Sequence, residues 1–119
     1  MPERNSLPRT LSLKSRAEIA ELFDSGRRVS SRLFTLIWLP AEHFRYAVFL
    51  SRQHGSAVAR NRLKRLYREA IRLGRSGLDL SGKMAFLPRR TKAEPQQDQL
   101  VADVTSVFER LARELSRES

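Results

Sequence analysis

Residues 56–73, SAVARNRLKRLYREAIRL, constrain this chain more than any other segment. On a helix of 3.6 residues per turn, Ala59, Leu63, Leu66, Ala70 and Leu73 recur at steps of 4, 3, 4 and 3 and share one face. That face has to be buried. Arg60, Lys64, Arg68, Arg72 and Arg75 follow the opposite face, with Asn61 and Arg65 beside them and Arg62 near the boundary opposite Glu69. Like charges at i, i+4 repel by about 0.2–0.5 kcal/mol per pair, so such a run weakens an isolated helix. Ordinary solvated faces interleave acids with bases, whereas here seven cations between positions 60 and 75 meet one carboxylate, Glu69. A polyanion would compensate the repulsion. Each phosphate neutralised releases condensed counterions, and about five such contacts give a log–log salt slope of roughly −3.5 to −4.5. Gly55 and Gly74 are the expected limits of the helix.

The charge is concentrated around this segment. Positions 27–92 carry 16 Lys/Arg against 3 Asp/Glu, while the remaining 53 positions carry 7 against 10. Nineteen of the 23 cationic residues are Arg, whose planar fork grips phosphate through paired hydrogen bonds and stacks on bases. Nucleic acid fits this better than a membrane surface does. With 119 residues and 40% hydrophobic content, the chain is expected to form one domain over 1–119, with 1–12 and 116–119 as loose tails. The absence of Cys excludes disulfide frameworks, thiolate zinc sites and thiol nucleophiles, and makes a reducing cytoplasm the expected location. The start, MPERNSLPRT, has no apolar leader core, and the longest apolar stretch, 36–41, falls far short of the about 18 residues of a membrane span.

The remaining pattern alternates helical and extended signals. A first helix should start at Ser15, with its hydroxyl capping free amides and Glu18 reaching back. Ile19, Leu22 and Phe23 then form an apolar stripe before Gly26. Residues 33–39 and 44–50 are rich in β-branched and aromatic side chains and read as a hairpin around Pro40. A third strand, 83–87, ends at Pro88, and a last helix after Pro95 aligns Leu100, Val104, Val107, Phe108, Leu111 and Leu115. This order predicts an α+β or α/β two-layer sandwich.

From Ser51 to Glu69 the residues read SRQHGSAVARNRLKRLYRE, and this stretch resembles the signature of the bacterial ribonuclease P protein family, whose core is Arg-Asn-Arg followed by further Lys/Arg and Arg-Glu. The likeness extends from Leu7-Pro8-Arg9 through the helix ending at Gly26 and the strand with Phe34 to the final helix. The resemblance implies an α+β two-layer sandwich of order αβββαβα, as in one domain of a small-subunit ribosomal protein, with a left-handed βαβ crossover. It also implies a cytoplasmic RNA-binding subunit that assists a catalytic RNA in removing the 5′ leader of precursor tRNA. By the same likeness Arg60, Asn61, Arg62, Lys64, Arg65, Arg68 and Arg72 bind the RNA subunit. Ile19, Phe23, Phe34, Ile37 and Arg52 match the positions of a cleft that takes the single-stranded leader. Ile19 and Ile37 stand where the family commonly has aromatics, and Gln53 where it often has a second Lys. Phe23 and Phe34 suit an ordinary core equally well, and Trp38 should point to the opposite sheet face from Ile37.

No protein-borne catalytic group is expected. His43 and His54 read as surface histidines without a carboxylate or Cys cluster, and neither G-x-x-x-x-G-K-[ST] nor G-x-G-x-x-G occurs. Magnesium held by RNA phosphates would perform the hydrolysis. Two other readings remain open from the residues alone. One is a ribosomal or architectural RNA-binding protein with no part in cleavage. The other is a DNA reader, which lacks a preceding helix-turn-helix.

Overall fold

The computed structural model describes residues 12–91 and 93–118. The matches at Leu7, Pro8 and Arg9, and all but Ser12 of the expected tail over 1–12, lie outside them, and Ser12 bridges to Tyr46. Helix α1 (Arg16–Ser25) is followed by strands β1 (Arg27–Ser30), β2 (Phe34–Leu39) and β3 (Phe44–Val48), a 3₁₀ turn (Arg52–His54), helix α2 (Ala57–Arg75), strand β4 (Gly82–Pro88) and helix α3 (Gln97–Glu118). This is the αβββαβα order.

The expected hairpin does not form. The sheet runs β1-β2-β4-β3, so β4 inserts between the two strands assigned to the hairpin, antiparallel to β2 and parallel to β3. The physical reason lies in β4 itself. Gly82, Met84, Ala85, Phe86 and Pro88 are all buried, so this strand needs neighbours on both edges, whereas β3 has half-exposed positions that suit an edge. The sequence reading also passed over β1, where Val29 is the one buried residue and two Arg and a Ser obscure the pattern. Charged residues of this kind blunt an exposed edge.

Alternation divides the sheet into two faces. Val29, Phe34, Leu36, Trp38, Phe44, Tyr46, Met84 and Phe86 pack on α2 and α3, forming the main core. The reverse face carries Ile37 and Ala85, which pack with Leu13 and with Leu22 of α1. Trp38 and Ile37 therefore do point opposite ways, and the Trp38 indole N–H donates to the Ser81 carbonyl at 2.9 Å.

Two helix limits differ from expectation. Helix α2 runs through Gly74 to Arg75 because Gly74 is the point of closest approach to α3: a Cβ there would lie 2.9 Å from Val104 Cγ1. Helix α3 continues to Glu118, beyond the expected loose end after Leu115, and its last turns are tied to β1 by ion pairs from Arg27 to Glu114 and Glu118. Ser15 caps α1 by accepting from the Glu18 N–H, but the Glu18 carboxylate does not reach back. It pairs instead with Arg45 and Lys83.

Candidate nucleic-acid interface

Helix α2 is seated by Tyr67, Ala70, Ile71 and Gly74, which are buried, with Leu63 and Leu66 half-buried at their flanks. The inward face is thus rotated from the one expected. Leu73, assigned to the core, is 40% exposed, and Tyr67 and Ile71 take the central positions. The shift follows from what lies beneath: Tyr67 meets Phe34 and Phe86 edge-on, at centroid distances of 5.9 and 6.3 Å, and its hydroxyl donates to the Leu33 carbonyl. Burial pushes the Tyr67 hydroxyl pKa far up.

The cations on α2 fall into three groups. Arg62, Lys64, Arg65 and Arg68 are exposed, with the neutral Asn61 beside them, and among the described residues Lys64 and Arg65 have no side-chain partner. Arg60 and Arg72 are half-buried and engaged within the protein. Arg60 donates to the Gly55 carbonyl at 2.8 Å, fixing the entry to the helix, and Arg72 grips Glu69 with two nitrogens. The Arg72 guanidinium holds the Glu69 carboxyl below the usual carboxylate range, so the pair's contribution is present above the ordinary Glu pKa and fades as pH falls through the lowered value. Arg75 leaves the array altogether. Its guanidinium lies 4.0 Å from the centre of the Phe44 ring, its Nε is buried without a hydrogen-bond partner, and desolvation lowers its pKa.

Three of the exposed cations line one wall of a groove. Lys64, Arg65 and Arg68 face Tyr46, Ala47 and Val48 of β3 across a volume of about 320 Å³, closed at one end by Ser12 and Leu13. Leu13 donates its N–H to the Tyr46 carbonyl, so the segment before α1 adds to the β3 edge. Arg68 acts on the Tyr46 hydroxyl, lowering a pKa that burial raises more strongly. Ala47 and Leu13 also border the reverse sheet face, which makes the groove continuous with the half-buried apolar surface beside α1.

Of the five residues matched to the leader cleft, Ile19, Phe23 and Ile37 come together on the α1 side of the sheet, while Phe34 lies on the opposite face and Arg52 stands in the 3₁₀ turn. Phe34 is fully buried on the α2–α3 side of the sheet and Ile37 is fully buried on the α1 side, as their odd spacing on one strand requires. Neither ring nor side chain can meet a base. Ile19 and Phe23 are half-buried on the α1 side, and Arg52 is exposed in the 3₁₀ turn. The sequence reading missed Phe49, half-buried and edge-on to Phe23 with ring centres 5.3 Å apart. Counting alternate residues from Ala47 in β3 would have found it.

His54 is not a free surface histidine. It accepts from the Ser51 N–H at Nδ1 and donates from Nε2 to the Pro88 carbonyl at 2.9 Å, stapling the 3₁₀ turn to the end of β4. No group of three or more His, Cys, Asp or Glu among the described residues could hold a metal ion, and no helix among them is long and apolar enough to cross a membrane.

Comparison with known proteins agrees with this architecture. The Ribonuclease P family model matches residues 7–112. The ribonuclease P protein component of Desulfovibrio desulfuricans is 32% identical over 118 residues, covering 94% of this chain and 91% of that protein. The component from an Exiguobacterium species is 32% identical over 82% of this chain and 87% of its own. Among solved structures, the Thermotoga maritima RNase P protein superposes with a TM-score of 0.73 at 20% identity, over 83% of this chain and 96% of that one. The Staphylococcus aureus RNase P protein gives 0.73 at 23% identity, over 85% and 94%. These last two likenesses concern the fold.

Proposed function

The chain belongs to the ribonuclease P protein family, and from that membership we propose how its surfaces divide the work of the ribonucleoprotein. It is the protein subunit of ribonuclease P, the tRNA-processing endoribonuclease, and its partner is RNA. The catalytic RNA docks on the exposed arc of Asn61, Arg62, Lys64, Arg65 and Arg68. The observation that carries this is the division of α2, with Tyr67 and Ile71 sealed against the sheet while Lys64 and Arg65 stand in solvent with no partner among the described residues. Leaving these cations unpaired would weaken the helix; phosphates offset that repulsion and return the released counterions as affinity.

The 5′ leader of precursor tRNA follows the groove between α2 and β3 and crosses Ala47 to the rings of Phe23 and Phe49. Lys64 and Arg68 reduce repulsion along its phosphates, and the half-buried ring pair offers an aromatic edge for one base. Phe34 and Ile37 support this surface from inside the core and do not touch RNA. Magnesium ions held by RNA phosphates supply the hydrolytic chemistry; the chain's own residues position the leader and lower the local negative potential.

Reconstitution tests the reading. Purified protein added to a bacterial ribonuclease P RNA at low magnesium should raise the rate of precursor-tRNA cleavage. No gain would leave a plain RNA-binding protein. In the same assay Phe49→Ala should weaken binding of leader-bearing precursor about fivefold to tenfold while leaving tRNA without a leader unaffected, as expected for about 1 kcal/mol from one stacked base.

Glu69 provides a second check, because it neutralises Arg72 beside the cationic arc. Glu69→Gln should tighten RNA binding about twofold to fivefold at low salt, with the gain shrinking as ionic strength rises. Filter binding across a salt series reads both quantities.

A further inference from the structure

On the opposite flank of α2 from the leader groove lies a second cavity of about 360 Å³, between the first turns of α2, the 3₁₀ turn and the chain leaving β4. Its floor is apolar, made of Leu33, Leu63, Tyr67 and Pro88, and its rim carries Arg62, Arg89 and Arg90. The wall is rigid. His54 is tied at both ring nitrogens, and Arg89 is anchored by its N–H to the Leu33 carbonyl and by Nε to the Ser31 carbonyl. Arg90 is exposed and has no side-chain partner among the described residues. The acid on the rim is Glu94, whose carboxylate stands 3.5 Å from Arg62.

We propose that this cavity is a binding site for one unpaired RNA nucleotide, its base seated on the floor by Leu63 and Pro88 and its phosphate held by Arg62 and Arg90. The chemistry selects this occupant. An apolar hollow ringed by guanidiniums matches a flat, largely apolar base that carries a phosphate, and its volume lies in the range of small-ligand sites. A paired base cannot enter, because its hydrogen-bonding edge and its neighbours in the stack hold it away from the floor. Glu94 occupies the position a phosphate would take beside Arg62, and RNA binding displaces it.

The inference rests on the RNA-binding reading of α2 and extends that interface around both flanks of the helix. The full-length chain, labelled with ¹⁵N, is titrated with uridine 5′-monophosphate and, separately, with inorganic phosphate. The nucleotide should shift the amides of Ala59, Leu63 and Thr91, phosphate alone should shift them by less than half as much, and Arg90→Glu should abolish the nucleotide response. Equal shifts with both probes would reduce the cavity to an anion site and overturn the proposal, as would no shift with either. In the holoenzyme reconstituted with bacterial ribonuclease P RNA, Arg90→Glu should lower protein–RNA affinity about fivefold, the effect of one lost charge-assisted contact. If Arg65→Glu weakens the holoenzyme and Arg90→Glu does not, the nucleotide site is refuted and the α2 face stands. If neither does, both fall.

Discussion

Replacing Arg62, Lys64 and Arg65 together with Ala should raise the dissociation constant for the ribonuclease P RNA about a hundredfold, from a loss of roughly 1 kcal/mol at each of three charge-assisted phosphate contacts. The salt dependence should flatten in step, with the log–log slope becoming shallower by about 2–3 units for three phosphates released. Folding should hardly respond. All three side chains are exposed, and among the described residues only Arg62 has a partner, a 3.5 Å contact with Glu94 that is itself open to water. Removing them also relieves like-charge repulsion on the helix, so Tm should move by no more than about 2 °C. An unchanged salt slope would show that these cations do not meet phosphate. Arg60 is a deliberate omission, because its bond to the Gly55 carbonyl makes Arg60→Ala a change in helix entry as well as in charge.

Most of the fold was legible wherever a segment's local pattern determined its own burial. The cap at Ser15, the end of β4 at Pro88 and the apolar stripe of α3 all depend on residues within a few positions of one another. The hairpin error has a different origin. Whether 33–39 pairs with 44–50 depends on whether a third strand competes for the same edge, and that competitor lies more than thirty residues further on. Local strand signals carry no information about such an insertion. Strand β1 escaped because its role is to be an edge, and an edge strand with a single buried Val has no alternation to detect.

The site shows the same division. Exposure of Asn61, Arg62, Lys64, Arg65 and Arg68 follows from helical geometry and was readable. The withdrawal of Arg75 onto Phe44 and of Arg72 onto Glu69 depends on tertiary neighbours or on a local pairing that competes with RNA. The leader cleft suffered most, because matching positions one at a time ignored a constraint present in the strand itself. Phe34 and Ile37 are three apart, so they cannot share a face of β2. Applying alternation first would have retained Phe23 on α1, discarded Phe34 and led to Phe49.

The rotation of the α2 apolar face yields the sharpest structural test. Ile71 is fully buried between sheet and helices, whereas Leu73, two residues on and assigned to the core by spacing alone, is 40% exposed. Ile71→Asp has to bury a carboxylate in a fully enclosed apolar cluster, or expel α2 from the sheet. Either route should cost about 4 kcal/mol or more, out of a total stability of about 5–15 kcal/mol. For a domain of this size that lowers Tm by about 16 °C, and RNA binding is lost with the fold because the cationic arc no longer has a scaffold. Leu73→Asp should shift Tm by only a few degrees. Its effect should appear instead as slightly weaker RNA binding, since it adds a negative charge near the exposed arc. Thermal melts of the two variants side by side decide the orientation of the helix. Equal losses would place Leu73 in the core and turn Lys64 and Arg65 away from the groove, removing the geometric basis for both the RNA face and the path of the leader.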